Sequence, residues 1–471
     1  MGSIRPSKFK AALLTATTML SACGAMQTPY HAPAAAIPAQ FTHADASTAS
    51  AANRIDRLWW QRFGDPQLDH LIEQALRRNN DLAAATIKVR RAQLSAGIAA
   101  GNLLPALSAG TGTEYSRNLR GDRSSDRNYS ANAAVSYELD LWGRLGSLND
   151  AAQWEALATE EDRESTALTL IGTTAALYWQ AAYLNQRIAL GEQSIAYAEK
   201  TLALVQVQYG AGAVSLLELM EAQQNVAAQR AGQTQLRQQQ VENDNALAIL
   251  FDGPPESMQT SLPAMPQRLP DYALPMPVAG VPAAVLARRP DLRAAERRLR
   301  ATLANADAVR ASYYPQFTLT SAINGGSDSL HDVLQNPIAS LGLGLVLPFL
   351  QWQQMQRNNK IAQADYAVAV VNFRQALYSA LRDVENALSA REQYAQQAHQ
   401  LQQNLVAALQ AERLYEIRYR AGSVALRIFL DAQERRRNAE IAATDNRINA
   451  LNNQMRLYQV LGGDDAPAGI L

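Results

Sequence analysis

The sequence predicts a mainly helical chain that carries a small share of a membrane β-barrel and is built as a tandem repeat. Three observations lead there. The chain aligns with itself at a single offset of 210 residues, in blocks more than a hundred residues apart. Short segments alternate apolar and polar residues with period two, while long proline-free stretches keep helical periodicity. Of 471 residues, 48% are hydrophobic, largely through alanine, and glutamine is abundant, which favours long helices over a mixed-sheet core.

Composition also excludes function classes. Lys+Arg and Asp+Glu both number 43, so the chain lacks the net basic charge a nucleic-acid binder uses. One cysteine permits neither an intramolecular disulfide nor a Cys-rich zinc site. His31, His43, His70, His331 and His399 are scattered without the spacing of a helical metal site, so no metal is expected. There is no GxSxG or phosphate-cradling glycine loop, and no enzyme activity or cofactor is expected beyond a covalent lipid. The pair Glu160-Glu161 sits mid-helix and reads as solvated, and Arg435-Arg436-Arg437 reads as a solvated or intersubunit face.

At the N-terminus, Arg5, Lys8 and Lys10 precede the short apolar stretch Ala11 to Leu20, too short for a membrane span and right for a signal-peptide core. Leu20-Ser21-Ala22-Cys23-Gly24 resembles a bacterial lipobox, which implies cleavage before Cys23 and its acylation; an ordinary secretory signal with an incidental cysteine is the alternative. Gly24 in place of Asp resembles an outer-membrane address. Residues 1–22 are thus read as a lipoprotein signal peptide and 23–57 as an acylated tether, the stretch to Ser50 being rich in Ala, Thr and Pro.

The repeat defines the rest. Leu76, Arg78, Asp81, Leu82 and Pro105 fall on Leu286, Arg288, Asp291, Leu292 and Pro315; Tyr209, Ala211, Gly212 and Val214 fall on Tyr419, Ala421, Gly422 and Val424. The first copy covers 58–252, a proline-rich crossover covers 253–282, the second copy covers 283–462, and 463–471 is a tail. Each copy reads helix, strand, strand, long helix, turn, helix. In the first these are a helix over 67–100, strands 104–115 and 129–141, and a proline-free helix from about 148 to 209, on the order of 90 Å long at 1.5 Å per residue. Ile188, Ile195, Leu202 and Tyr209 recur every seven residues, with Ala198 and Val205 between them, a close-packing heptad seam. In the second copy the helix runs over 283–312, the strands over 316–323 and 338–349, and the long hairpin over 353–419 and 424–461.

The strands alternate sharply. Tyr129, Ala131, Ala133, Val135, Tyr137, Leu139 and Leu141 are apolar or aromatic, and the residues between them are polar or small. Leu341, Leu343, Leu345, Leu347 and Phe349 oppose Gly342 and Gly344. A soluble sandwich with one buried face would show the same local pattern. Trp142, Tyr313, Tyr314, Phe349 and Trp352 cluster where strands meet helices, as an interfacial girdle would. Polar tips at 116–128 and 325–336 fit external loops. Four strands cannot close in lipid, where closed barrels have at least about eight. The barrel is therefore expected to be multichain, with the helical hairpins bundled as a tube.

Several segments carry a family resemblance. They are Leu58-Trp59-Trp60-Gln61-Arg62-Phe63-Gly64-Asp65-Pro66-Gln67-Leu68, Tyr137-Glu138-Leu139-Asp140-Leu141-Trp142-Gly143-Arg144, Ala287-Arg288-Arg289-Pro290-Asp291-Leu292-Arg293-Ala294-Ala295-Glu296, Arg418-Tyr419-Arg420-Ala421-Gly422-Ser423-Val424 and Leu430-Asp431-Ala432-Gln433. The chain resembles the TolC-like outer membrane factors, in the lipoprotein branch (NodT family) that serves tripartite RND-type pumps. The resemblance implies a homotrimer with a twelve-stranded β-barrel on a periplasmic α-barrel, and an equatorial belt built partly from the crossover. Implied partners are a periplasmic adaptor (membrane fusion) protein, an inner-membrane pump and outer membrane lipid. The turns at Gly210, Gly212 and Gly422, with Val214 and Val424, would dock the adaptor. Asp431 matches an acid of the closed constriction, and Arg427, Tyr419, Arg420, Glu218 and Glu221 lie near enough to join a gate, unless they are solvated helix ends. The glycines that many relatives carry after the last strand are absent at Leu347-Pro348-Phe349-Leu350-Gln351-Trp352-Gln353. The function implied is a passive efflux duct; a duct for type I protein secretion and a pore-less envelope tether are the competing readings.

Overall fold

The computed structural model describes residues 27–43, 58–122, 124–255, 264–275, 282 and 287–463. The signal peptide, Cys23, the helix start at 283–286 and the tail from 464 lie outside the described residues. The chain forms two compact units. One holds Ile87–Glu161 and Arg293–Ala376 with the N-terminal segment as far as Ala35; the other holds Ala36–Thr86, Asp162–Leu292 and the chain from Leu377 onward.

The first unit contains an antiparallel sheet in the order β1 (Ala106–Arg117), β2 (Ser125–Leu139), β3 (Gln316–Ser327), β4 (Ile338–Val346). The first two strands reach further toward the loop than the expected 104–115 and 129–141, because Ser116 and Arg117 pair with Asp126 and Ser125. The last strand stops at Val346, and Pro348, which has no N–H to give a ladder, opens a 3-10 turn over Pro348–Leu350. That turn makes the exit without any glycine. Register places Leu107, Val135, Ser321 and Leu341 across from one another, and Tyr137, Leu319 and Leu343 likewise. Since side chains alternate, one face carries this apolar set and the other carries Ser130, Asn132, Ser136, Thr318, Thr320 and Gly342. Both β1 and β4 are edges, and Leu341 stands 76% exposed in the single chain.

The helix expected over 67–100 is two helices, α1 (Pro66–Arg78) and α2 (Asn80–Gly101). Asn79 breaks it. The buried side chain accepts from the N–H groups of Asp81 (3.0 Å) and Leu82 (3.1 Å), capping α2, and its amide donates to the Leu250 carbonyl at 3.1 Å. The long helices are α3 (Arg144–Gly210) and its hairpin partner α4 (Leu216–Leu250); after α5 (Pro290–Ala311) come α6 (Trp352–Arg420) and α7 (Leu426–Val460). Arg289 stands at the second elbow, 210 residues after Asn79, and donates to the Val460 and Ala380 carbonyls at 3.4 Å each. Leu250 and Val460 are themselves 210 apart, so the two elbows grip the same point of their repeats. Of the expected heptad seam, Ala198 and Val205 are buried while Tyr209 is 42% exposed.

The second unit has an aromatic core. Trp59 stacks on Tyr458 at 5.0 Å between ring centres, and Phe63 lies 5.3 Å from Trp179. Asp65 caps α1 through the N–H groups of Gln67 and Leu68, and its other oxygen accepts from the Tyr178 hydroxyl at 2.9 Å. The non-helical crossover is held by side chains that replace a ladder: Arg447 donates to the Pro270 (2.8 Å) and Tyr272 (2.6 Å) carbonyls.

Three sequence expectations are corrected. Residues 27–43 of the supposed tether are bound to the protein: the Thr28 N–H and hydroxyl each donate to Asp307 at 2.7 Å, Arg300 lies 4.3 Å over the Tyr30 ring, and Phe41 enters an apolar cluster with Val384 and Leu457. Glu161, read as solvated, is buried and clasped by Arg293 (2.8 Å) and Arg297 (2.7 Å). Arg436, read as a solvated or intersubunit charge, pairs with Glu412 and Glu440 at 2.6 Å each.

Candidate functional site

The hairpin tips come from two turns of nearly identical backbone. Gly212 and Gly422 take φ of 72° and 70°, the left-handed region that glycine enters without a Cβ penalty. Each helix end then closes with a bond five residues back: Ala213 N–H to Gln208 carbonyl at 2.8 Å, and Ser423 N–H to Arg418 carbonyl at 2.9 Å. Gly210 is the last residue of α3.

Around these turns the structure brings some of the expected residues together and leaves others apart. Tyr419 is 9% exposed, stacks on Phe429 at 5.5 Å, and donates its hydroxyl to Gln208 of the first hairpin at 3.1 Å. Burial raises its pKa, so the hydroxyl stays a donor. Val214 and Val424, one from each turn, pack against the same cluster as Val205, Ala222 and Leu426. Tyr419 thus ties the two hairpins of one chain. Arg420 pairs with Glu416 at 2.6 Å on its own helix. Glu218 closes a capping box: its carboxylate accepts from the Ser215 N–H at 3.0 Å and from the Ser215 hydroxyl, which lowers its pKa. Arg427 is exposed and Glu221 half-buried. Asp431 is exposed and lines a groove between α6 and α7 with Tyr415, Ile428 and Arg435.

Above the tip, a half-buried polar network crosses the hairpins that sequence reasoning did not find. Burial raises the Glu412 pKa against the pull of Arg436, and lowers that of Arg437. The Tyr197 hydroxyl is pushed up to about 12 by burial and then by Glu416. The run Arg435-Arg436-Arg437 is the only trace of this network in the sequence.

At the junction of strands and helices, Trp142 lies 5.1 Å from Tyr314 and donates to the Pro315 carbonyl at 2.7 Å. The Tyr313 hydroxyl accepts from Asn358 at 2.7 Å, while Phe349 (41%) and Trp352 (59%) stand exposed. The exit from β2 is fixed by two acids. Glu138 holds Arg144 in a two-oxygen clasp, with its closest contact at 2.6 Å, and Asp140 caps α3 through the N–H groups of Leu145 and Gly146. Among the described residues no group of three His, Cys, Asp or Glu gathers as a metal site, and no helix is long and apolar enough to cross a membrane.

The comparisons agree with this geometry. The family model "Outer membrane efflux protein" matches residues 71–251 and 281–463. The pyoverdine export outer membrane protein OpmQ of Pseudomonas putida is 34% identical, covering 88% of this chain and 90% of that protein. The probable outer membrane lipoprotein SilC of Salmonella typhimurium is 28% identical, covering 97% of this chain and 99% of that protein. The open-state MtrE outer membrane channel of Neisseria gonorrhoeae superposes with a TM-score of 0.77 at 28% identity, covering 93% of this chain and 97% of that one. The chain has the outer membrane factor fold, in which three copies with four strands each close a twelve-stranded barrel and each copy adds two helical hairpins. It belongs to the outer membrane efflux protein family, as an outer membrane channel of tripartite efflux.

Proposed function

We propose that the trimer is a passive exit duct for small molecules. An RND-type inner-membrane pump supplies the transport energy, and a periplasmic adaptor docks on the tips at Gly210, Gly212, Val214, Gly422 and Val424. The chain itself catalyses nothing. The observation that carries this reading is the sheet. One face is apolar and the other polar, and the edges are satisfied in hydrocarbon only by further copies, so closure gives a polar lumen. The relative named for pyoverdine export supports a small-molecule cargo. At the tip, Asp431 repeats as a ring of three carboxylates under threefold symmetry, a device for cation preference.

Acylation of Cys23 fits the docked N-terminal segment. Thr28 is fastened to Asp307, which lies in α5 shortly before β3 begins at Gln316. Five extended residues reach at most about 17 Å, enough to bring Cys23 to the membrane end of that helix.

Purified trimer in planar bilayers tests the duct. Channels with a cation preference are expected, and Asp431→Ala is expected to weaken that preference or block by divalent cations. Silent bilayers would point to a tether, and unchanged selectivity and block would remove Asp431 from the pore lining. Crosslinking from Ala211→Cys and Ala421→Cys in cells is expected to capture an adaptor.

A further inference from the structure

The apolar face of the sheet changes character along its length. Toward the helices it carries large side chains: Tyr137, Leu139, Phe317, Leu319, Leu343 and Leu345. Toward the loops the same face carries Ala109, Thr111, Ala131, Ala133 and Gly325, which leave a depression of about 450 Å³ walled by Leu334 and Pro337 of the β3–β4 loop. That volume lies within the range of about 300–1,000 Å³ usual for small-molecule sites. The loop is fitted to the sheet here. A Cβ on Gly325 would stand 2.2 Å from the Val333 carbonyl oxygen, and Val333 is 6% exposed. Its neighbours Leu330 and Leu334 are 72% and 75% exposed, so the loop offers apolar side chains beside the apolar face.

Just past the depression the row ends in Tyr129, Tyr115, Arg127 and Arg117. Arg127 pairs across from Tyr115 and lies 5.7 Å over its ring. Strand alternation sorts the charges at this level. Arg117 and Arg127 share the apolar face, whereas Glu114 and Asp126 fall on the polar one. The three described loop acids are engaged locally: Asp122 accepts from the Ser124 N–H at 3.2 Å, Asp328 from the Ser327 hydroxyl at 3.3 Å, and Asp332 from the Gln335 amide at 2.5 Å.

On the outside of a membrane barrel, a pocket of small side chains below two arginines and a tyrosine ring lies where acyl chains meet headgroups. We infer that this face binds one phosphorylated, multi-acyl glycolipid of the outer leaflet. An acyl chain lies in the depression against Ala131 and Gly325, and the phosphate is held by Arg117 and Arg127. Two cations with no acid on their face favour a lipid of net negative charge over a zwitterionic one. The arginine fork takes phosphate oxygens in pairs, and the stack on Tyr115 holds Arg127 in place for it.

Native mass spectrometry of the purified trimer tests the site by titration with hexa-acylated bisphosphoryl lipid A, its dephosphorylated form and dioleoyl phosphatidylethanolamine. Saturable retention of one lipid A per chain is expected, at least tenfold tighter than either other lipid. The double variant Arg117→Ala/Arg127→Ala is expected to lose that preference, and Ala131→Phe to reduce retention of lipid A by filling the depression. Trimer mass and bilayer conductance verify that each variant is folded. The comparison of phosphorylated with dephosphorylated lipid on the unaltered protein needs no variant. Equal retention of the three lipids, or a preference untouched by the arginine substitutions, would overturn the site.

Discussion

The two hairpin tips share a backbone and differ in what their side chains do. Gly212 and Gly422 differ by only 2° in φ, and the closing bonds differ by 0.1 Å. Yet Tyr209 is 42% exposed where Tyr419 is 9%, and Leu216 is 54% exposed where Leu426 is 2%. Local sequence dictates the turn, because each tip carries a glycine free to enter the left-handed region that closes the helix. Burial is decided by which hairpin faces which, and a repeat leaves that undetermined. The second tip has become the packed centre of the pair, and the first keeps the same apolar residues on its outside.

Substitutions at the paired tyrosines make the sharpest break in this comparison. Tyr419→Ala empties a stacked, buried position and is expected to destabilise the tip by about 3 kcal/mol. Tyr209→Ala is expected to change it by no more than about 0.5 kcal/mol. Hydrogen exchange over 415–430 and 205–220 reads both. Equal effects would mean that the two tips are energetically alike and that the difference in burial is incidental.

The elbows come next in size. Asn79 and Arg289 do one job with different chemistry: each donates to the carbonyl of the residue that ends its repeat's last helix, Leu250 or Val460. Asn79 also caps α2, whereas at the second elbow Pro290 supplies the helix start. Asn79→Ala removes cap and donor together and is expected to cost about 2 kcal/mol, read by urea unfolding of the detergent-solubilised protein. Asn79→Ser keeps a cap acceptor for Asp81 and Leu82 and loses the donation to Leu250 without burying a charge, so about half that loss is expected. A loss in Asn79→Ser as large as in Asn79→Ala would show that the carbonyl grip, and not the cap, holds the elbow.

Much of this was legible in the sequence. The offset of 210 placed both tips, and alternation placed all four strands within a few residues. The break at Asn79 was not, because an asparagine inside an apolar 3.6-residue pattern is a weak breaker; its role rests on a carbonyl 171 residues away. Residues 27–43 looked like a tether because their composition is that of one, yet contacts of Thr28, Tyr30, Phe41 and Thr42 hold them. Tyr419 was picked out by its place in a motif. Its partner, Gln208, lies on the other repeat and had no local mark. Glu161 and Arg436 were misread for the same reason: a charge looks solvated until the opposite helix supplies its counter-ions.

The smallest expected effect separates the tips by pH. Ser215 and Glu218 close a capping box at the start of α4; the equivalent positions in α7 are Ala425 and Ile428, and Ala425 makes no side-chain cap. Hydrogen bonds from Ser215 lower the Glu218 pKa, so the folded tip favours the carboxylate. The stabilisation is therefore complete above the ordinary glutamate range of about 4.3 and is lost as pH falls through the lower folded-state value. Acidification is expected to fray the first turn of α4 and leave that of α7 unaffected, seen as protection factors falling at Leu219 and Met220 while those at Phe429 and Leu430 hold. Ser215→Ala is expected to lower protection in that turn by about 1 kcal/mol at neutral pH and to reduce its acid sensitivity, the backbone N–H of residue 215 still donating to Glu218. Ala425→Ser should add a fraction of that to the second tip without any acid sensitivity, because Ile428 offers no carboxylate to close the box. If both tips frayed together on acidification, the cause would lie in the half-buried Glu412–Arg436–Glu440 network above them, and the capping box would not be what distinguishes the two repeats.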